Sequence, residues 1–298
     1  MPRIAYVNGR YTRHAEAGVH IEDRGYQFAD GVYEVCLVLN GVFWDEEGHL
    51  ARLDRSLNEL AIEKPMTTRA MRLVMETLVR KNRLKDALVY MQITRGVAPR
   101  NHPFPDGAPN PSIVITAKRF DFSKSEELAK KGAKVITAPD IRWGRVDIKS
   151  ISLLPNVLAK EAAKRAGAQE AWLVRDGFIT EGGSSNAWIV TRQGEIVTHP
   201  LGNDILGGIT RQTVLKCAEE LQMKVVERPF TKEEALKAAE AFFTSATTLV
   251  MPVVSIDGEQ VGDGAPGSVA RRLRDAYIAK GQSAAVAAPE AANENRLL

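Results

Sequence analysis

The sequence predicts a mixed α/β protein of two domains, a small N-terminal α/β domain over residues 1–120 and a larger C-terminal one over 121–282. Three observations predict it. The chain has 298 residues, about two domains' worth. β-rich runs alternate with segments of helical apolar spacing in both halves. The polar, charged stretch Arg119–Lys131 interrupts that pattern, and the boundary is placed there, near 118–124. Hydrophobic residues make up 44% and charged residues 26%, enough for a sizeable core and unlike a collagenous or wholly disordered chain.

In the first half, Val32–Leu39 is a β-rich run. Asn40-Gly41 is a hairpin signal, because both positions must accept positive φ, and Val42-Phe43-Trp44 is the returning strand. Leu50, Leu53, Leu57 and Leu60 recur at helical spacing and predict a helix over 48–62. Met71, Val74, Met75, Leu78 and Val79 predict a second helix. Ala87–Thr94 and Ser112–Ala117 are strands, joined by the long Pro-, Asn- and Gly-rich loop Val97–Pro111, of a size that is often functional.

The second half alternates faster. Strands are predicted over Lys134–Thr137 and Glu170–Val174, with an irregular or extended stretch over Ile141–Leu154. Between them Asn156–Ala166 is a helix closed by Gly167. Trp188–Val190 and Ile196–Thr198 form a hairpin, Thr210–Leu221 is a helix, and Lys224–Glu227, Ala241–Thr244 and Val250–Ile256 are strands. A last helix covers 268–280. From Ser283 the Ala-, Asn- and Glu-rich tail predicts disorder.

Lys and Arg number 40 against 37 Asp and Glu, a net charge of +3 with no block of like charge. Nucleic acid is therefore not implied as a partner, although a mild excess can draw in small anions. Cys36 and Cys217 stand far apart in no metal or redox spacing, which points to two buried apolar thiols in a reducing compartment. The first residues carry no apolar signal core and no run of about 18 apolar residues exists, so a cytoplasmic protein without membrane spans is expected.

Gly262, Gly264 and Gly267 form a G-x-G-x-x-G match, but Pro266 sits inside it and no βαβ unit follows, so it reads as a turn into the last helix. The five histidines show no zinc spacing. Four other stretches carry chemistry. Arg142–Ser150 holds Lys149; period-2 alternation puts it with Asp147 on one face and Val146 with Ile148 on the other. It is either a solvated strand lysine or an amine available for a Schiff base. Ile179–Ala187 presents Glu181 in a Gly/Ser-rich turn, either a surface hairpin or a carboxylate suited to a pyridinium nitrogen. Leu206–Arg211 leads into a helix with Thr210 as its N-cap, where free N–H groups and the helix dipole favour a phosphate. Arg100 and His102 alternate on the Pro-braced loop, and an Arg fork with a His donor suits a carboxylate.

Together, and in this order, these stretches resemble the fold-type IV pyridoxal-phosphate aminotransferases, from about Ala5 to Lys280. Glu22–Val35 resembles the family's N-terminal signature, and within the family the chain is most similar to the D-amino acid (D-alanine) branch, whose marker is the Arg100-Asn101-His102 pattern. The resemblance implies a pseudo-barrel C-terminal domain and pyridoxal 5′-phosphate (PLP/PMP) as cofactor. It implies that Lys149 holds the cofactor as a Schiff base and moves the proton, that Glu181 pairs with the pyridine nitrogen, and that Leu206 packs on the ring. Arg52, Ile209, Thr210 and the Ser245–Ala246 turn would bind the phosphate; Tyr33, Arg100 and His102 would bind the substrate carboxylate. The family's loop reaches in from a neighbouring subunit, which implies a homodimer. Ala246 stands where the family usually has a threonine, so a hydroxyl is lost for which Ser245 or Thr247 can substitute, and Gly183 stands where a serine is common.

The expected reaction is ping-pong transamination, D-alanine plus 2-oxoglutarate to pyruvate plus D-glutamate. Rival readings on the same scaffold are an L-branched-chain aminotransferase, an (R)-selective amine transaminase and aminodeoxychorismate lyase. A non-catalytic cofactor carrier is a further rival, disfavoured because storage needs no carboxylate clamp.

Overall fold

The structure is a computed structural model that describes residues 3–107 and 109–294. Ala108 of the long loop, the first two residues and the last four residues of the tail lie outside the described residues. The chain forms two compact units, each with its own sheet. The first runs to Asp121 and also takes Ile148–Ser152; the second comprises Phe122–Asp147 and the chain from Leu153 onward. The short return of Ile148–Ser152 is the difference from the division predicted at 120/121: the lysine segment belongs to the N-terminal unit.

Among the described residues the first unit has a six-stranded antiparallel sheet in the order β2-β1-β6-β5-β3-β4. Its strands are β1 (Ile4–Val7), β2 (Arg10–Arg13), β3 (Gly31–Leu39), β4 (Val42–Phe43), β5 (Ala87–Thr94) and β6 (Ser112–Arg119). The β3–β4 turn is the predicted one, with Asn40 at φ 53° and Gly41 at φ 81°. β3 pairs with β5 in unbroken register from Gly31 opposite Thr94 to Val38 opposite Ala87. The helices are α1 (Arg24–Phe28), α2 (Glu46–Glu59) and α3 (Thr68–Lys81). α2 buries Leu50, Leu53 and Leu57, and α3 buries Met71, Met75, Leu78 and Val79, in one core with Val32, Cys36, Val89 and Met91 of the sheet. Burial on one face is what the leucine spacing demanded.

The second unit carries α4 (Phe122–Lys131), β7 (Ala133–Pro139), α5 (Leu154–Arg165), β8 (Glu170–Arg175), β9 (Phe178–Gly182), β10 (Asn186–Val190), β11 (Ile196–Thr198), α6 (Ile209–Glu220), β12 (Val225–Glu227), α7 (Lys232–Lys237), β13 (Glu240–Ser245), β14 (Leu249–Ile256), β15 (Glu259–Gln260) and α8 (Ser268–Glu294). Its mixed sheet follows the path β12-β11-β10-β13-β14-β7-β8-β9, with β15 beside β14. The core joins Trp172, Ile189, Val197, Phe243, Met251 and Val253.

Three local readings change. The polar segment 122–131 is a helix, α4, whose only fully buried side chains are Ser125 and Ala129; with so narrow an apolar stripe its helical period is hard to see. Residues 146–147 form a turn, and Val146, Asp147 and Ile148 are all buried, so the stretch does not alternate like a strand. α8 continues to Glu294, through the segment whose composition predicts disorder; its alanines favour helix over any other regular structure.

Candidate functional site

In the first unit, β3 and α2 build a polar group inside an apolar core. β3 reads Val32-Tyr33-Glu34-Val35-Cys36, and its alternation sends Val32, Glu34 and Cys36 inward while Tyr33 and Val35 stay half-buried. Glu34 is fully buried. On α2, His49, Arg52 and Ser56 recur at i, i+3 and i+7 on one face, and α2 packs on β3. Arg52 donates through Nε and Nη2 to the two oxygens of Glu34, at 2.7 and 2.8 Å, and His49 Nδ1 lies 2.8 Å from Oε2. Burial by itself would push the Glu34 carboxyl up; the Arg52 charge, its paired hydrogen bonds and His49 outweigh burial and bring it down to about 2.

Lys149 lies against the start of β3. Its N–H donates to Ser56 Oγ at 3.2 Å, and its carbonyl accepts from the Tyr33 N–H at 3.0 Å. Ile151 N–H donates to the Gly31 carbonyl at 3.0 Å, and Ser150 bridges Val32. Lys149 is half-buried, with Nζ 4.1 Å from the centre of the Tyr33 ring. Gly31 is required here: a Cβ at this position would stand 2.7 Å from the Ile93 carbonyl oxygen and 3.2 Å from Ile151 Cδ1. Tyr33 also faces Tyr90, ring centres 5.8 Å apart, and burial with that neighbour pushes the Tyr90 hydroxyl up to about 12.

Arg100 and His102 lie on the 95–111 loop with exposed side chains, 5.0 Å and 5.4 Å respectively from the ring of Phe28. Arg100 and His102 neighbour Phe28, whereas Tyr33 neighbours Lys149 and Tyr90, so the predicted carboxylate-binding trio is not assembled by the described contacts of the chain.

In the second unit, Glu181 is near the end of β9, on a strand where the sequence suggested a turn, and is buried. It is met only by donors in its described bonds: Arg142 Nη1 on Oε1, and Asn186 Nδ2 at 2.9 Å and Leu206 N–H at 3.2 Å on Oε2. Arg142 is itself held by Asp140, at 2.8 and 2.7 Å, and Thr180 donates to Asp140 at 2.9 Å. Burial raises the Asp140 carboxyl, but the Arg142 hydrogen bonds and charge bring it down to about 2. Asn186 also donates to the Leu206 carbonyl at 3.0 Å, which fixes Leu206 beside Glu181.

α6 starts at Ile209, with Gly208 as its N-cap and no side chain capping its amides. This corrects the expectation of Thr210 as cap: Thr210 is the second helical residue, buried, and its hydroxyl is not used for capping. α6 packs on β13, and Arg211 in its first turn lies 5.6 Å from the Trp188 ring, whose Nε1 donates to Thr244 Oγ1 at 3.0 Å. The β13–β14 turn follows directly. There Ser245 Oγ meets Thr248 Oγ1 at 2.7 Å and Thr247 Oγ1 at 3.3 Å, so hydroxyls flank Ala246. A Cβ on Gly183 would meet Glu170 Oε1 and Lys160 Cδ at 3.2 Å each, which gives its glycine a packing reason.

Sequence reasoning missed Glu34, His49, Ser56, Asp140, Arg142 and Asn186. Glu34 left a signal, a carboxylate on the inward face of an apolar strand that must find a cation. Asn186 left none beyond its place after the Gly/Ser turn.

The chain matches the Amino-transferase class IV family over residues 31–256. It is 45% identical to a D-alanine aminotransferase of Bacillus licheniformis, over 90% of this chain and 94% of that one, and 40% identical to one of Staphylococcus haemolyticus, over 91% and 95%. Among solved structures it resembles the branched-chain amino acid aminotransferase of Escherichia coli, with a TM-score of 0.86 at 25% identity and 94% of each chain covered. The T.th. branched-chain amino acid aminotransferase with pyridoxamine 5′-phosphate has a TM-score of 0.86, also at 25% identity, with 95% of each chain covered. With the family matched from β3 through β14 and relatives similar across nine-tenths of its length, this chain belongs to the class IV aminotransferases.

Proposed function

We propose that the protein is a PLP-dependent D-amino acid aminotransferase that moves the amino group of D-alanine to 2-oxoglutarate. The observation that carries this is the Arg100-Asn101-His102 pattern in a chain 45% identical to a D-alanine aminotransferase over 90% of its length. The residues fit the cofactor by their chemistry. The start of α6 lies among buried residues and has no side chain capping its amides, which suits a phosphate. Glu181 is a buried carboxylate beside a guanidinium, suited to a protonated ring nitrogen. Lys149 is a half-buried amine beside an aromatic ring.

Lys149 would hold the cofactor at its aldehyde carbon through Nζ. Glu181 would hold a proton at the pyridine nitrogen, and Leu206 would pack on the ring. Ile209, Thr210 and the hydroxyl-rich Ser245–Ala246 turn would hold the phosphate, and so would Arg52, whose guanidinium plane Glu34 orients. Bound there, the cofactor supplies an electron sink for the substrate's α-carbon. Lys149 Nζ would take the proton from the substrate's α-carbon and deliver it to the cofactor's aldehyde-derived carbon. Tyr33, Arg100 and His102 bind the substrate carboxylate, with the loop contributed by the partner protomer of a homodimer. Two buried thiols outside any disulfide suit a cytoplasmic protein. Among the described residues no helix is long and apolar enough to cross a membrane.

The test is the visible spectrum of the purified holoenzyme with D-alanine and then with L-leucine. A response to D-alanine alone is expected. A response to L-leucine alone would instead support the branched-chain reading, for which the structural likeness at 25% identity is the weaker argument.

A further inference from the structure

We infer that Arg24 is a positioning residue: its buried guanidinium, anchored on Asp30, sets the loop that presents Arg100 and His102. This rests on the reading of those two residues as the substrate-carboxylate donors.

Two arginines converge on one carboxylate. Arg24 Nε and Arg95 Nε each donate to Asp30 Oδ2 at 2.8 Å, and Arg95 Nη2 donates to Oδ1 at 3.0 Å. Arg95 alone would satisfy Asp30. Arg24, 3% exposed, is therefore a second buried cation, and a buried cation is costly unless its remaining N–H groups are used. They are. Nη1 donates to the Asn101 carbonyl at 2.6 Å and Nη2 to the His102 carbonyl at 3.2 Å. One rigid fork thus fixes the peptide groups that flank His102 and follow Arg100.

The same short helix supplies the floor. Phe28 lies one turn beyond Arg24 in α1, and its ring is 4.8 Å from the Arg24 guanidinium, 5.0 Å from that of Arg100 and 5.4 Å from the His102 ring. The backbone is stitched alongside: Arg24 N–H donates to the Gly96 carbonyl at 2.9 Å, and Ala98 N–H to the Glu22 carbonyl at 3.3 Å. Arg95 fastens the far side, with its guanidinium 3.5 Å from the Phe104 ring and bonds to the carbonyls of Leu60 and Ala61 beyond α2. Residues 99–104 are exposed, so the order of this stretch depends on these anchors. A fixed Arg–His pair binds a carboxylate without first losing loop entropy.

Arg24→Met leaves Asp30 paired with Arg95, and the released carbonyls belong to exposed residues that water can reach, so the variant is expected to fold. The experiment is steady-state kinetics of the holoenzyme with D-alanine and 2-oxoglutarate, with the thermal transition and cofactor absorbance measured alongside. Arg24→Met is expected to raise both KM values about tenfold, with kcat changed less than about threefold and cofactor content unchanged. Arg24→Lys, which keeps the charge but cannot span both carbonyls, should fall between. In an Arg100→Ala, His102→Ala chain, adding Arg24→Met should change KM by less than about twofold. A fall in kcat or cofactor content with unchanged KM would show a merely structural Arg24 and overturn the inference. So would unchanged kinetics in Arg24→Met while Arg100→Ala raises KM. If Arg100→Ala itself leaves KM unchanged, the carboxylate reading fails and takes this inference with it.

Discussion

At the scale of single residues, the proposed chemistry depends on side chains whose types are visible in the sequence and whose partners are not. Lys149 stands out because it directly follows a buried apolar residue, Ile148, at 4% exposure. Lys149→Ala should abolish multiple turnover in a coupled pyruvate assay; retained turnover would remove it from the proposed role. Arg100→Ala should lower kcat/KM for D-alanine by one to three powers of ten, about 1.4 kcal/mol for each, mostly through KM. The partners are another matter. Glu34 and Arg52 lie 18 positions apart, and Arg142 and Glu181 lie 39 apart. No local period links such residues. Only the pairing of β3 with its helix, and of β7 through β9 with one another, brings them within hydrogen-bond reach. Cys36 and Cys217 were legible as buried thiols, and both are buried and outside any disulfide.

At the scale of elements, long periodic segments were readable and short ones were not. The leucine and methionine spacings locate α2 and α3, and Ala87–Thr94 is β5 to the residue. α1 and α7, at five and six residues, are too short to display a helical period, and β1 and β2, at four residues each, carry little strand pattern. The start of α6 shows how one residue's shift matters. Thr210 is a good cap by type, yet the N-cap is Gly208, a position where a Cβ would stand 2.0 Å from Asn186 Oδ1. Gly208 has an ordinary φ of −63°, so the requirement is for space alone. Gly208→Ala should therefore push Asn186 away from Glu181 and Leu206. The expected outcome is a loss of about 1–3 kcal/mol in thermal unfolding together with weaker cofactor retention on dialysis. Full retention with a normal transition would show that the Asn186 link is dispensable.

At the scale of the whole molecule, acid should act through the buried carboxylates. Glu34 has an ordinary value of 4.5 when unfolded and about 2 when folded. Its contribution is complete above about pH 4.5 and is lost as pH falls toward 2, about 3 kcal/mol in all. Asp140, also held at about 2, loses its contribution over the same direction of change, starting from 3.8. Glu34→Gln should lower stability at neutral pH, because Arg52 loses its charged partner, and should flatten the melting temperature between pH 4.5 and 2. Parallel profiles for the two proteins would contradict this. The sequence by itself determined the mixed α/β class, the chief strands and helices, the family, and the reactive residue types, because these rest on local period, turn chemistry and motif. The tertiary structure alone decided that Ile148–Ser152 returns to the first unit and lies along β3, that Glu34 orients Arg52, and that Arg24 grips the loop bearing Arg100. Each of these satisfies buried polar groups across long separations in the chain, and such partners are chosen by how the sheets and helices pack, not by the residues next to them.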